Sequence, residues 1–511
     1  MKNFKKIITL TFVLSMFFGC TKLDETLYDR LSANTFYKTD AQVLTGLTNV
    51  YYKLMLVENW WWPWQLEECT TDHGMTPTRN NGAWYDGNVF QELQKHTWDA
   101  SHNRTTVTYK YLYSAIASAN SFLDILNGIS INNKDVIIAE VRAVRAWEYL
   151  HLVDLFGNVP IVTVAKLDQK NLPTNSTRKE VFDFIEGELK DAIKLLPSLA
   201  GMSDRQSYYP RVAKETAQAM LARLYLNAEV YSGTARWQDC LDVCNEIINS
   251  RVYSLTPSIS DNFVPLNQNS PEIIFAISQD NLTIGASGGD DSNQGGNWVD
   301  QLCLRPQLRY KYGLSFDAWG GPSVLIEHYN IYDDDDYRKS LILSGLQTSP
   351  GGDSLTFLIP IKSITSALEN EGLVCVKYVP DPLATPAMTG RGLGRNDIVL
   401  LRYAEILMSK AEVLYRLGDI GGATDLINEV RARNFVTPKP FANITLDNIL
   451  QERSREFLWE GTYRTDLVRF GKFITERTQW KNYDDDATRN IFPIPQTEIQ
   501  ANPNLVQNPG Y

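Results

Sequence analysis

Residues 404–430, AEILMSKAEVLYRLGDIGGATDLINEV, read as two amphipathic helices joined through Gly418 and Asp419, and this pattern constrains the fold more than any other. Neither helix of such a pair can cover its own apolar face, so pairs must stack on one another. The same pattern recurs: 105–126 precedes 140–156, 213–231 precedes 237–248, and 400–417 precedes 423–433. Two further helices are predicted at 40–56 and 178–196, the latter capped by Ser176 or Thr177 and closed by Pro197. Ala217, Ala222 and Ala228 are small enough to let neighbouring helices approach closely.

The pair at 404–430 resembles a tetratricopeptide unit, with Gly at the turn and Ala in the second helix. Three or four irregularly spaced units are expected, giving a mainly α fold: a right-handed helix-pair scaffold with an irregular, loop-rich lobe. Two stretches interrupt the helical pattern. Residues 59–98 read as a long non-helical excursion crowded with Trp60, Trp61, Trp62, Trp64, Trp84, Tyr85 and Trp98. Residues 257–398 are rich in Gly, Ser, Asn and Asp, with short apolar runs at 273–277 and 355–359 that suit strands.

The first nineteen residues read as a leader, with Lys2, Lys5 and Lys6 ahead of an apolar run over 7–18 that is too short to span a bilayer. Gly19-Cys20 reads as a lipoprotein cleavage site, which makes Cys20 the acylated first residue. Loss of the leader takes three lysines with it and moves the net charge from −11 to −14. That balance argues against nucleic acid or anionic lipid as ligand. Cys69, Cys240, Cys244, Cys303 and Cys375 remain, an odd number that offers no complete disulfide framework.

In 446–472, Arg453, Glu456 and Glu460 recur at helical spacing beside an apolar stripe. Two carboxylates on one face suit either a glycosidase pair or a partly buried charge network. The flanking Phe457, Leu458 and Trp459 favour the network, because catalysis needs open access. Glu67, Glu68, Cys69, Asp72 and His73 are potential metal ligands, yet no second clustered pair accompanies them. The acidic run Asp333 to Asp336 lacks calcium-loop spacing and reads as a solvated loop, and the glycines of 390–396 precede no phosphate-loop Lys-Ser/Thr. No metal or other cofactor, and no catalytic residue, is assigned.

The aromatic residues are the strongest functional signal. Sugars present flat C–H faces that lie on Trp and Tyr rings, while their hydroxyls require polar partners. The run Trp60-Trp61-Trp62-Pro63-Trp64 cannot all point inward, and Trp84 and Trp319 adjoin Gly or Asn turns that can expose a ring.

The segment ERSREFLWEGTYRTDLVRFG (452–471) and the closing PIPQTEIQANPNLVQNPGY (493–511) resemble the C-terminal signatures of SusD/RagB-family outer-membrane lipoproteins. EVRAVRAWEYLHLVDLFGNVPIV (140–162) resembles another segment of that family, in the family's order, and TKLDE after Cys20 is similar to its surface-export tag. The resemblance implies a leader at 1–19, a lipidated tether at 20–40, an N-terminal helical region at 41–256 and a C-terminal region at 257–511. The last holds the lobe (257–398) and tetratricopeptide-like helices (399–472). The resemblance further implies a non-catalytic glycan-binding lipoprotein on the cell exterior, anchored to the outer membrane by lipid and partnered with a SusC-like TonB-dependent transporter. A binder of peptide or another non-sugar nutrient is the alternative. By position, the family's ligand contacts fall on Asp72, Arg79, Trp84, Tyr85 and Trp98 from the first excursion, and on Trp298 and Trp319 from the lobe.

Overall fold

The apolar stripes close against one another in a computed structural model that describes residues 36–59, 62–279, 303–315, 318–383, 385–386, 392–475, 478–481 and 486–511. Among the described residues its α-helices of seven residues or more are α1 (Asp40–Asn59), α2 (Trp62–Glu68), α3 (Val89–Lys95), α4 (Asn103–Asn127), α5 (Lys134–Leu155), α6 (Arg178–Leu195), α7 (Lys214–Leu226), α8 (Trp237–Ser250), α9 (Tyr403–Arg416), α10 (Ile420–Ala432), α11 (Leu446–Glu456) and α12 (Tyr463–Arg469). Packing follows chain order: α1 lies on α4, α4 on α5, α5 on α6, α6 on α7, α7 on α8, α8 on α9 and α9 on α10. The result is the tetratricopeptide-like array anticipated from the sequence. It continues from α8 to α9 across more than 150 residues of intervening chain.

Local chemistry sets the helix ends. Thr177 caps α6 in a reciprocal box with Glu180, and Thr445 caps α11 in the same way with Asn448. Between α9 and α10 the chain turns at Gly418, whose φ of +96° suits glycine, and Asp419 accepts the Gly422 N–H at 2.9 Å. One large apolar core runs through the array; Leu54, Leu112, Tyr149, Ile185, Leu224, Met408 and Ile427 are all buried in it.

The lobe carries short antiparallel pairs instead of a continuous sheet. Its strands are β1 (Ile273–Ile277), β2 (Ile342–Leu343), β3 (Gly345–Thr348), β4 (Ser354–Phe357), β5 (Val374–Cys375), β6 (Thr385–Pro386), β7 (Gly392–Leu393) and β8 (Ile398–Arg402). They pair β1 with β8, β2 with β5, β3 with β4 and β6 with β7. A second apolar cluster, including Phe263, Leu308, Leu314, Val324, Leu373 and Trp459, fills the lobe. Residues 400–402, read from sequence as the start of a helix, instead complete β8 opposite β1, and α9 begins at Tyr403.

The charged C-terminal end of α11 joins lobe to array. Glu456 is buried and receives Arg402 at 2.9 Å, Arg338 at 3.0 Å and Arg433 at 2.5 Å. Glu452 receives Arg338 and Arg431, each at 2.7 Å. Burial alone would raise the Glu456 carboxyl; Arg433, Arg402 and Arg338 outweigh it and hold the group well below the usual carboxylate range. Of the arginines near in sequence, Arg455 pairs with Glu452 at 3.0 Å. Arg453 and Arg469 pair with Asp466, while the cations on Glu456 arrive from β8, the lobe and the end of α10. The four aspartates 333–336 are each ion-paired, with Arg431, Lys339, Lys439 and Arg338 in turn, and Asp336 is buried rather than solvated. None of the five described cysteines is in a disulfide. Among the described residues no helix is long and apolar enough to cross a membrane.

A candidate ligand-binding cleft

The first excursion is not the wholly non-helical segment expected, since it contains α2 and α3. Between them residues 79–88 form successive tight turns, closed by Arg79 N–H to Ala83 O at 2.7 Å, Tyr85 N–H to Gly82 O at 3.1 Å and Asn88 N–H to Tyr85 O at 2.6 Å. Asn80, Gly82, Trp84, Asp86, Gly87 and Asn88 all have positive φ. Asn, Asp and Gly tolerate this region; Trp84, at +63°, does so at a cost of about 1–2 kcal/mol. Strain of that kind on a bulky ring beside a cavity is a feature of functional sites.

The Trp84 indole is fixed from three sides. Its Nε1–H donates to the Trp319 carbonyl at 2.9 Å, and its ring lies 6.3 Å from that of Trp319 and 6.1 Å, edge on, from that of Phe90. The ring also presses on Gly321, where an added Cβ would lie 2.6 Å from Cζ2. Trp62, Trp64 and Gln65 from α2, Phe90 from α3, Arg104 from α4, and Thr76, Asp86 and Pro322 complete an apolar cleft of about 620 Å³ around Trp84 and Trp319. Arg104 donates to Asp86 at 2.7 Å and lies over the Trp62 and Phe90 rings at 5.6 and 5.1 Å. From Asp86 and Arg104 a broad polar groove continues past Glu92, Asp99 and Asn103.

Of the residues expected from sequence, Trp84 and Trp319 thus come together, each half-buried, with Tyr85 exposed beside them. Three others are corrected. Trp98 is only 1% exposed, because its Nε1–H is spent on the Tyr511 hydroxyl at 2.8 Å and its ring on Phe492 at 4.7 Å. Arg79 is fully buried and donates to Leu368 O at 2.6 Å, Glu371 O at 3.1 Å and Ser323 Oγ at 2.7 Å. Burial draws its guanidinium down to about 10 against the pull of Glu369 and Glu371. Asp72 is buried, and its carbonyl accepts the Leu325 N–H at 3.2 Å. Arg79 and Asp72 therefore tie the excursion to the lobe beneath the cleft. Trp298 and Cys20 lie outside the described residues.

Trp62, Trp64, Asp86, Phe90 and Arg104 are among the lining residues that sequence reasoning did not assign. The Trp run at 60–64 was the signal for the first two; Arg104 sits on a helix whose periodicity reads as scaffold. Asp72, His73 and His328 also come close enough to share an ion. The ring nitrogens of His73 already face Glu68 at 2.8 Å and Ser454 at 2.9 Å, and those of His328 face Ser454 at 3.2 Å and Tyr332 at 2.9 Å. With all four nitrogens engaged, the cluster is a hydrogen-bond network joining α11 to the lobe.

A sequence model of the SusD family matches residues 362–511, and a second, described as starch-binding associating with outer membrane, matches residues 24–226. The chain matches these two SusD-type models over 353 of its 511 residues. The starch-binding protein SusD of Bacteroides thetaiotaomicron is 29% identical over 467 residues, covering 84% of this chain and 82% of that protein. SusD-like protein P25 of Formosa agariphila is 25% identical, covering 99% of each chain. Among solved structures, a laminarin binding SusD-like protein superposes with a TM-score of 0.76 at 22% identity, covering 93% of this chain and all of that one. Surface glycan-binding protein A of B. thetaiotaomicron, solved with laminarihexaose, gives 0.74 at 22% identity over 92% and 99% of the two chains. These structures share the SusD fold, with its helical array and loop-rich lobe.

Proposed function

We propose that this SusD-family protein is a non-catalytic glycan-binding lipoprotein, anchored through Cys20 to the outer membrane and facing the cell exterior. It captures an oligosaccharide in the Trp84–Trp319 cleft for import by a SusC-like TonB-dependent transporter. The observation that carries this reading is an open cleft walled by four indoles, Trp62, Trp64, Trp84 and Trp319. Indole faces suit the C–H faces of sugar rings, and each stacked ring contributes on the order of 1 kcal/mol beyond burial. Two or three such contacts with a few hydrogen bonds give affinities of roughly micromolar to millimolar. Weak binding of this kind suits a protein that must release its cargo to a transporter.

Support for a binder over a hydrolase comes from the carboxylates. Glycoside hydrolysis uses two carboxylates flanking one bond. Among the described residues the cleft holds Asp86 alone, already paired with Arg104, and Glu452 and Glu456 are buried between arginines. The names of the starch- and glycan-binding relatives point the same way.

The test uses the soluble protein lacking Cys20 on a glycan array, followed by titration calorimetry. Trp84→Ala and Trp319→Ala are expected to abolish glycan binding and to spare association with the transporter. Loss of that association with glycan binding retained would overturn the reading and make the tryptophan cluster a protein interface.

A further inference from the structure

We infer that the cleft accepts uncharged glycan chains and rejects anionic ones, and that Asp86 sets this selectivity by keeping Arg104 out of the ligand's reach. The inference rests on the glycan-binding reading above and adds to it a ligand class and a specificity-determining residue.

Recognition of a uronate or a sulfated sugar needs a cation with N–H groups directed at the ligand, and a guanidinium is the usual choice because it matches the planar anion. Among the described residues lining the cleft, Arg104 is the one cation. Two of its nitrogens are engaged elsewhere, Nη2 with Asp86 at 2.7 Å and Nη1 with Asn103 at 3.3 Å, and Nε is buried away from the opening. Its flat faces are occupied as well, by the rings of Trp62 and Phe90. An anionic sugar would have to displace Asp86 and then sit beside the carboxylate it had displaced.

The surroundings reinforce the exclusion. The groove that leaves the cleft at Asp86 and Arg104 carries Glu92 and Asp99 as well, three carboxylates to one guanidinium. Like charges a few ångströms apart in this partly screened setting weaken binding by roughly tenfold each. A neutral chain meets none of this; it exchanges water for indole faces and leaves the Asp86–Arg104 pair intact.

The test is an array of oligosaccharides matched in backbone and length, carrying free hydroxyls, C6 carboxylates or sulfates. The wild-type protein is expected to retain uncharged members and to bind their carboxylated counterparts at least about tenfold more weakly. Asp86→Asn tolerates the positive φ at this position and frees Arg104. It is expected to shrink the ratio of the two dissociation constants to about threefold or less, with the gain fading as salt is added. That ratio cancels any change common to both ligands. Arg104→Met is expected to widen it and serves as the second variant should Asp86→Asn fold poorly. A carboxylated or sulfated chain bound more tightly than its uncharged partner by the wild-type protein overturns the inference, as does an unchanged ratio in both variants. Retention of no glycan of any charge overturns the parent reading instead.

Discussion

Gly321→Ala isolates the indole geometry from everything else in the cleft. Gly321 lies outside the left-handed region, so alanine suits its backbone and the effect is purely steric. The new methyl would meet Cζ2, Cε2 and Cη2 of Trp84 at 2.6, 2.7 and 2.8 Å, where ordinary van der Waals contact begins near 3.4 Å. The ring must therefore move by roughly 0.8 Å or tilt, and the Trp84–Trp319 hydrogen bond resists, at about 0.5–1.5 kcal/mol. Overpacking of this kind costs about 1–3 kcal/mol of stability. A displaced platform removes about 1 kcal/mol of stacking, which raises Kd about fivefold. Calorimetric titration with an array-identified glycan reads the second effect and denaturant unfolding the first. Gly187→Ala is the control: it lies inside α6 with open space around the added methyl, and is expected to stabilise by about 1 kcal/mol with Kd unchanged. Wild-type affinity in Gly321→Ala, with the expected loss of stability, would refute the claim that Trp84 is a platform.

Trp98→Ala, in contrast, is expected to lower stability by about 3–5 kcal/mol, because it opens a cavity under Phe492 and leaves the Tyr511 hydroxyl short of its donor; a denaturation midpoint within error of wild type would contradict the core assignment. Glu456→Gln leaves Arg402, Arg433 and Arg338 short of a buried counter-charge and is expected to cost about 3–5 kcal/mol. Glu272, which burial would raise, is brought down to about 2 by Arg433 and Arg402, from 4.5 in the unfolded chain. A carboxyl depressed by folding stabilises fully above its unfolded value, so wild-type stability should fall as pH drops from about 4.5 towards 2, and less steeply in Glu456→Gln. Equal slopes for the two proteins would show that the network does not govern acid unfolding.

The array was legible because helical periodicity is a local signal: Leu112, Ile116 and Ala119 on α4, or Ile406, Ala411 and Val413 on α9, state their buried face within a few turns. α2 and α3, seven residues each, are too short and too aromatic to state a period, which is why 59–98 read as irregular. For the cleft, residue type was informative and location was not. Trp84 and Trp98 belong to the same excursion, yet Phe492, Arg489 and Tyr511, at the far end of the chain, bury one and leave the other half open. Likewise the acidic character of Glu456 was evident in sequence, whereas Arg338 and Arg402 reach it only through the folding of the lobe.

The pairing of β1 with β8 has a consequence for how such proteins diversify. Ile277 lies opposite Ile398, so the chain departs into the lobe and comes home at adjacent positions of one ladder. Closing a longer excursion costs little more than closing a shorter one, since the entropy grows only with the logarithm of its length. The lobe, which contributes Trp319 and Gly321, is in this sense a cassette that the chain enters and leaves at a single doorway, open to rewriting for another cargo where its ties to α11 are kept, while α8 and α9 keep their grip on each other.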